Sequence, residues 1–127
     1  MKKTFIIIFL LIGIFNAMAT PPNLAMEKLF DGRYNNNNKV ETTIIINNGM
    51  YYRGLTIKGD SKVLSEIQKA INKDKTRSSN YTFHQDKDAT YTSMQFLNNG
   101  EKIFSGLQID SPGNGFFYLQ AKEKAFK

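Results

Sequence analysis

Val40-Glu41-Thr42-Thr43-Ile44-Ile45-Ile46-Asn47-Asn48-Gly49-Met50-Tyr51-Tyr52-Arg53-Gly54-Leu55-Thr56-Ile57-Lys58 decides the fold. Val40, Thr42, Ile44 and Ile46 alternate along one face of an extended strand, and Asn48-Gly49 accepts the positive φ of a two-residue hairpin turn. The return strand then runs from Met50 to Lys58. A two-residue turn predicts that Ile46 faces Tyr51, Thr42 faces Leu55 and Val40 faces Ile57, which keeps the apolar set on one side.

C-terminal to this hairpin the period changes from two to 3.6. Asp60 or Ser61 starts a helix in which Val63, Leu64, Ile67, Ala70 and Ile71 form one apolar stripe, while Lys62, Ser65, Glu66, Gln68 and Lys69 face water. Residues 73–80 read as a polar loop. Strands follow: Tyr81–Gln85, a turn at Asp86-Lys87-Asp88, Ala89–Leu97, an Asn99-Gly100 hairpin, Glu101–Ile109, a loop at 111–115 and Phe116–Lys122. Lys122 and Lys124 are placed to protect the last strand as an edge. The second Asn-Gly hairpin echoes the first: Ile44–Gly49 leads to Gly54-Leu55, and Gln95–Gly100 leads to Gly106-Leu107. One extra residue between the second pair of glycines requires a difference in parity or a bulge.

N-terminal to the hairpin, Asn23 can cap a short helix with Ala25, Met26, Leu29 and Phe30 on one face, ended by Asp31-Gly32 and followed by a polar Asn35–Asn38 connector. The order α-ββ-α-ββββ needs only hairpin connections within each group of strands. It therefore predicts an α+β fold in two layers, a largely antiparallel sheet with both helices on one face.

The first nineteen residues, MKKTFIIIFLLIGIFNAMA, have the form of a secretory signal. Lys2 and Lys3 give the positive end, Phe5–Phe15 is apolar apart from Gly13, and Ala17-Met18-Ala19 supplies the small residues signal peptidase needs before Thr20. The expectation is a signal peptide over 1–19 and one domain over 20–127, with no membrane span left after cleavage. The apolar run is shorter than the roughly 20 residues of a spanning helix. Without Lys2 and Lys3 the formal charge of +6 becomes +4. The remaining basic residues are dispersed, unlike the stripe of a nucleic-acid binder, so nucleic acid is not an expected partner. The chain has no cysteine, which removes disulfides, thiolate chemistry and lipoprotein anchoring.

Catalytic signals are few. His84 is the single histidine and points away from Tyr81 and Phe83 in its strand, so a zinc site or a Ser-His-Asp triad has little to build on. Asp86 and Asp88 flank a tight turn and lack the rest of a calcium loop. Gly113-Asn114-Gly115 lacks the third glycine and following helix of a dinucleotide site. No catalytic residue, metal ligand or cofactor is assigned. With Phe96, Met94, Ile103, Leu107 and Ile109 inward, Tyr52, Tyr91, Phe104 and Tyr118 fall together on the opposite face. They form a candidate contact face, or they are cross-strand rings that only stabilise the sheet.

Glu27-Lys28-Leu29-Phe30-Asp31, the Ile-rich strand, Leu55-Thr56-Ile57-Lys58-Gly59-Asp60, the amphipathic helix and the closing hairpins together resemble short exported proteins of Bacteroidota. The order is similar to that in domains of unknown function such as numbers 4252 and 6108. The resemblance implies a periplasmic or secreted location in a Gram-negative bacterium, and it brings no catalytic residues with it. The leading expectation is a non-enzymatic interaction module contacting an envelope protein. A carrier of a small ligand, saccharide or lipid, is the alternative, and a hydrolase comes third.

Overall fold

A computed structural model describes residues 24–126. The signal-like segment, its cleavage residues Ala17, Ala19 and Thr20, and the Asn23 cap lie outside the described residues. The elements are β1 (Val40–Asn47), β2 (Met50–Lys58), α1 (Ser61–Asp74), β3 (Asn80–Gln85), β4 (Thr90–Asn98), β5 (Glu101–Ser111) and β6 (Asn114–Lys122), with 3-10 helices at Ala25–Phe30, Lys75–Arg77 and Glu123–Phe126. The strands form one sheet in the order β1-β2-β6-β5-β4-β3, each neighbour antiparallel. α1 carries the chain from β2 to the far edge, and three hairpins return it until β6 pairs with β2. This is the expected α+β fold, with one main helix on the sheet.

The first hairpin has the register its turn dictates: Ile46 faces Tyr51, Thr42 faces Leu55 and Val40 faces Ile57. Asn48 and Gly49 both have positive φ, 53° and 78°. Asp60 caps α1, its carboxylate accepting from the Val63 amide at 3.1 Å. The five stripe residues of α1 are all buried against Leu55, Ile57, Met94, Phe96, Ile103, Leu107, Phe117 and Leu119 on the inner face of the sheet. The Gly113 carbonyl accepts from the amides of Gly59 and Asp60 at 2.8 and 2.9 Å, which ties the β5–β6 turn to the start of α1.

Five details differ from the sequence reading. The first helix is a 3-10 helix, and its fully buried residues, Met26 and Leu29, are three apart as that tighter winding requires. α1 runs on to Asp74, inside the segment read as a polar loop. Asp74 is 2% exposed, and its carboxylate accepts from the amides of Ala25 and Met26, both at 2.9 Å. The loop at 111–115 is a two-residue turn, Pro112-Gly113, closed by Ser111 opposite Asn114, with the register shift falling between Ile109 and Ser111. β6 is central, so Lys122 and Lys124 guard no edge. Both instead reach Glu101, at 3.4 and 3.7 Å.

The fifth difference has a geometric cause. Six strands at about 4.8 Å spacing span roughly 24 Å, whereas a helix with its side chains is about 10–12 Å across. α1 covers the middle of the sheet and leaves the margins open. Ile44 and Ile46 have the inward phase the sequence gives them, yet they are 53% and 59% exposed.

Candidate functional site

Among the described residues no helix lies over the outer face of the sheet. Alternation in β6 buries Phe117 and Leu119 and turns Phe116, Tyr118 and Gln120 outward. Tyr118 pairs with Gly54 on one side and with Gly106 on the other. These are the two glycines of the sequence echo. Registers β1–β2 and β4–β5 are both continuous, so the extra residue is a difference in parity rather than a bulge. It brings both glycines to the outer face. The Tyr118 ring lies across Gly106, where a Cβ would come within 2.4 Å of its Cε1. A Cβ on Gly54 would meet the Tyr52 hydroxyl at 3.1 Å and Phe116 at 3.4 Å. Glycine inside a strand permits this close approach and weakens the strand otherwise.

The rings form a ladder. Tyr52 stacks on Tyr118 and Tyr118 on Phe116, each pair with centroids 6.3 Å apart and planes within 14° and 28° of parallel. Burial raises the Tyr52 phenol above its ordinary pKa, and Tyr118 adds to the shift. Two shallow grooves adjoin the ladder. One, of about 200 Å3, is lined by Tyr91, Ser93, Gly106, Gln108, Phe116 and Tyr118. The other, of about 230 Å3, is lined by Asn80, Thr82, Ser93, Gln95, Phe104 and Tyr118. Ser93 and Tyr118 belong to both. The Thr82 and Ser93 hydroxyls hydrogen-bond at 2.6 Å.

All four residues of the sequence-predicted contact face therefore share one side of the sheet. Tyr91, Phe104 and Tyr118 wall the grooves, and Tyr52 backs the stack. Phe116 was missing from that set, although reading Phe117 as inward requires its neighbour to point out. His84 also lies on this face, stacked on Tyr91 at 5.9 Å. The Asp86 carboxylate accepts from the amides of Asp88 and Ala89, which holds the β3–β4 turn and lowers the Asp86 pKa. Among the described residues, no three of His, Cys, Asp and Glu come together as a metal site would require. No helix among them is long and apolar enough to cross a membrane.

A second exposed feature is the β1 edge. The closing pair Asn47–Met50 of a two-residue hairpin is hydrogen-bonded, so odd-numbered residues of β1 bond β2 and even-numbered ones point their backbone groups outward. The Lys58 amide donates to the Lys39 carbonyl at 2.9 Å, in keeping with that parity. Among the described residues no strand lies beyond β1. Ile45 is 51% exposed on the outer side, so three consecutive isoleucines are open, on both sides of the same edge.

The charged groups cluster on the inner side instead. Arg53, 6% exposed, has its guanidinium 4.5 Å from the centre of the Tyr51 ring, 4.8 Å from Phe126 and 5.3 Å from Phe30. Glu27 stands 3.7 Å from it, an ion pair longer than a hydrogen bond. Nε and Nη2 of Arg53 have no hydrogen-bond partner among the described residues. Burial is the largest single influence on Glu27 and, with the nearby Asp74 charge, leaves its pKa raised despite the lowering by Arg53.

Taken together, the chain is a two-layer α+β domain with one covered and one uncovered sheet face. It belongs to a family of unknown function (DUF6108), whose sequence pattern matches residues 14–105. No curated protein and no solved structure matches it.

Proposed function

We propose that the protein is an exported, non-enzymatic interaction module of the periplasm or cell exterior, which takes up an extended segment of an envelope protein as a seventh strand on β1. The observation that carries this reading is the run Ile44-Ile45-Ile46, more than half exposed on an edge with outward backbone groups at Thr42, Ile44 and Ile46. Natural edges are usually blunted by lysine, proline or a bulge. From Val40 to Asn47 there is none of these, and Glu41 is the only charge. An added strand would satisfy the backbone groups, while side chains at alternate positions meet Ile44 and Ile46 on one side and Ile45 on the other.

Export is supported by the charge, apolar run and small-residue order of the first nineteen residues. The mature chain then starts at Thr20, and N-terminal mass spectrometry of the native protein reads this directly. The contact is tested by cross-linking in intact cells with wild type and the double variant Ile44→Lys/Ile46→Lys. The expected result is a discrete cross-linked envelope partner lost in the variant, with Tm unchanged. Equal cross-linking by a folded variant would remove β1 as the contact.

A further inference from the structure

We propose that the outer face is a binding site for a neutral, linear oligosaccharide, seated along the track that the two grooves form at Ser93 and Tyr118. This site is on a different surface from the β1 edge and does not depend on strand addition.

Charge is the first argument. The sequence has 17 Lys and Arg and 11 Asp and Glu, yet none of these lines either groove. On this face Glu41, Lys58, Lys102 and Lys122 keep to the rim, and Asp110, at the end of one groove, is held by the side-chain amide of Gln108. A phosphate or a carboxylate would find no opposite charge there, and a cationic ligand would meet only Asp110, which Gln108 already engages. The occupant that matches is uncharged.

Polarity is the second. Asn80, Thr82, Ser93, Gln95 and Gln108 border the same track. Their hydroxyl and amide groups both donate and accept hydrogen bonds, the capability that sugar hydroxyls need from a partner. A lipid tail would leave these groups without partners and lose the free energy of their hydration. The aromatic walls supply the complement. Tyr91, Phe104, Phe116 and Tyr118 offer ring surface on which the apolar C–H face of a sugar ring can pack, and the nearby amides fix its orientation.

Shape is the third. The track runs beside β4 from Tyr91 to Gln95, four residue steps and so roughly 14 Å at strand spacing. It is shallow and open to solvent, which suits several linked sugar rings better than one enclosed monosaccharide. The glycines at 54 and 106 belong to this construction, because they let the ladder rings lie close to the sheet.

The test is an amide-shift titration of the 15N-labelled protein with cellohexaose, maltohexaose and mannohexaose, each to about 10 mM, the range of weak specific binding. At least one is expected to shift the Tyr91, Ser93 and Tyr118 amides saturably. Tyr118→Ala should weaken that binding about tenfold or more, the effect of losing one good stacking contact. Ser93→Tyr fills the junction of both grooves from an exposed strand position and should abolish binding with Tm unchanged. Ile44→Lys/Ile46→Lys should bind as wild type, which separates this site from the strand-addition reading. The proposal is overturned if none of the three saccharides shifts these amides in the folded wild type, or if Ser93→Tyr binds undiminished. It is equally overturned if a polyproline peptide shifts them and no saccharide does.

Discussion

Phe116 and Phe117 are neighbours in β6 and meet opposite surroundings. Phe117 is fully buried, stacked on Phe30 at 5.9 Å beneath the helical layer. Phe116 is partly open to solvent, stacked on Tyr118 beside a groove. The same contrast runs across the sheet. The inner face is aliphatic side chains with Phe96 and Phe117 packed beneath the helical layer, and the outer face is aromatic rings laid over glycine. The usual placement of charge is reversed between them, because the buried side holds Arg53, Glu27 and Asp74 and the centre of the open side holds none. Stability therefore rests on the inner face and the proposed recognition on the outer face of the same strands, and single substitutions should separate them.

The largest separation is expected at β6 itself. Phe117→Ala should cost about 3–5 kcal/mol in urea denaturation, the range for deleting a buried aromatic ring. Phe116→Ala should stay within about 1 kcal/mol, since it forfeits one exposed stacking contact with Tyr118 of the same strand. Comparable losses would mean that the ring ladder holds the sheet together, as the cross-strand reading of these aromatics supposes, and the division between faces would fail.

Next is Asp74, the acid that joins the ends of the helical layer. Asp74→Ala removes the acceptor for two backbone amides some fifty residues away in sequence. Leaving them without partners should cost about 2–4 kcal/mol, by the penalty for buried unsatisfied donors. Asp74→Asn keeps one acceptor oxygen and should cost about half as much. Equal losses in the two variants would show that charge, rather than hydrogen bonding, makes this contact.

The contrast between the faces was legible in sequence wherever alternation alone decides it. The Asn48-Gly49 turn sets the hairpin register, and the 3.6 period selects the five buried residues of α1. Strand phase then places Tyr52, Tyr91, Phe104 and Tyr118 on one side. What was not legible depends on non-local pairing. Nothing near Phe116–Lys122 says that β6 inserts between β2 and β5, so Lys122 and Lys124 read as edge guards. Nothing near Ile44 says that the helical layer stops short of β1. Asp74 looks like any acid at the end of a helix until Ala25 and Met26 arrive from the N-terminal segment. The glycine echo was visible as a pattern, but its use as a seat for rings on both sides of Tyr118 required the sheet order.

Arg53 sharpens the comparison from the covered side. Removing one partner of a buried pair leaves the other without compensation, whereas replacing both is often neutral or stabilising. Arg53→Met alone should therefore destabilise by about 1–3 kcal/mol, the penalty for a polar group left without its partner, because Glu27 stays partly buried beside Asp74. Adding Glu27→Gln should recover most of that loss, because two Arg53 donors already lack partners. A double variant no better than Arg53→Met would place the contribution of Arg53 in its ring contacts rather than its charge.

The smallest effect is the pH dependence of the same cluster, and its sign decides whether burial or the ion pair controls Glu27. Burial is the largest single influence and, together with Asp74, it holds the folded-state pKa of Glu27 above 4.5. Between that value and the raised one, the folded state holds more proton than the unfolded chain. The contribution of Glu27 is therefore fully present below about pH 4.5 and is lost as pH rises through its folded pKa. Asp60 acts in the other direction and in a separate window. Hydrogen bonds from Asn37 and the Val63 amide lower its pKa from 3.8, so its contribution is present above that pH and lost only below it. Urea titrations from pH 4.5 to neutrality should show wild type losing stability relative to Glu27→Gln. Parallel curves would mean that Arg53 at 3.7 Å offsets the desolvation, and a rising wild-type curve would mean that it exceeds it. In either of those cases the inner face holds its charges at no cost, and the reversal of charge between the two faces needs no compensation from the packing around Phe117.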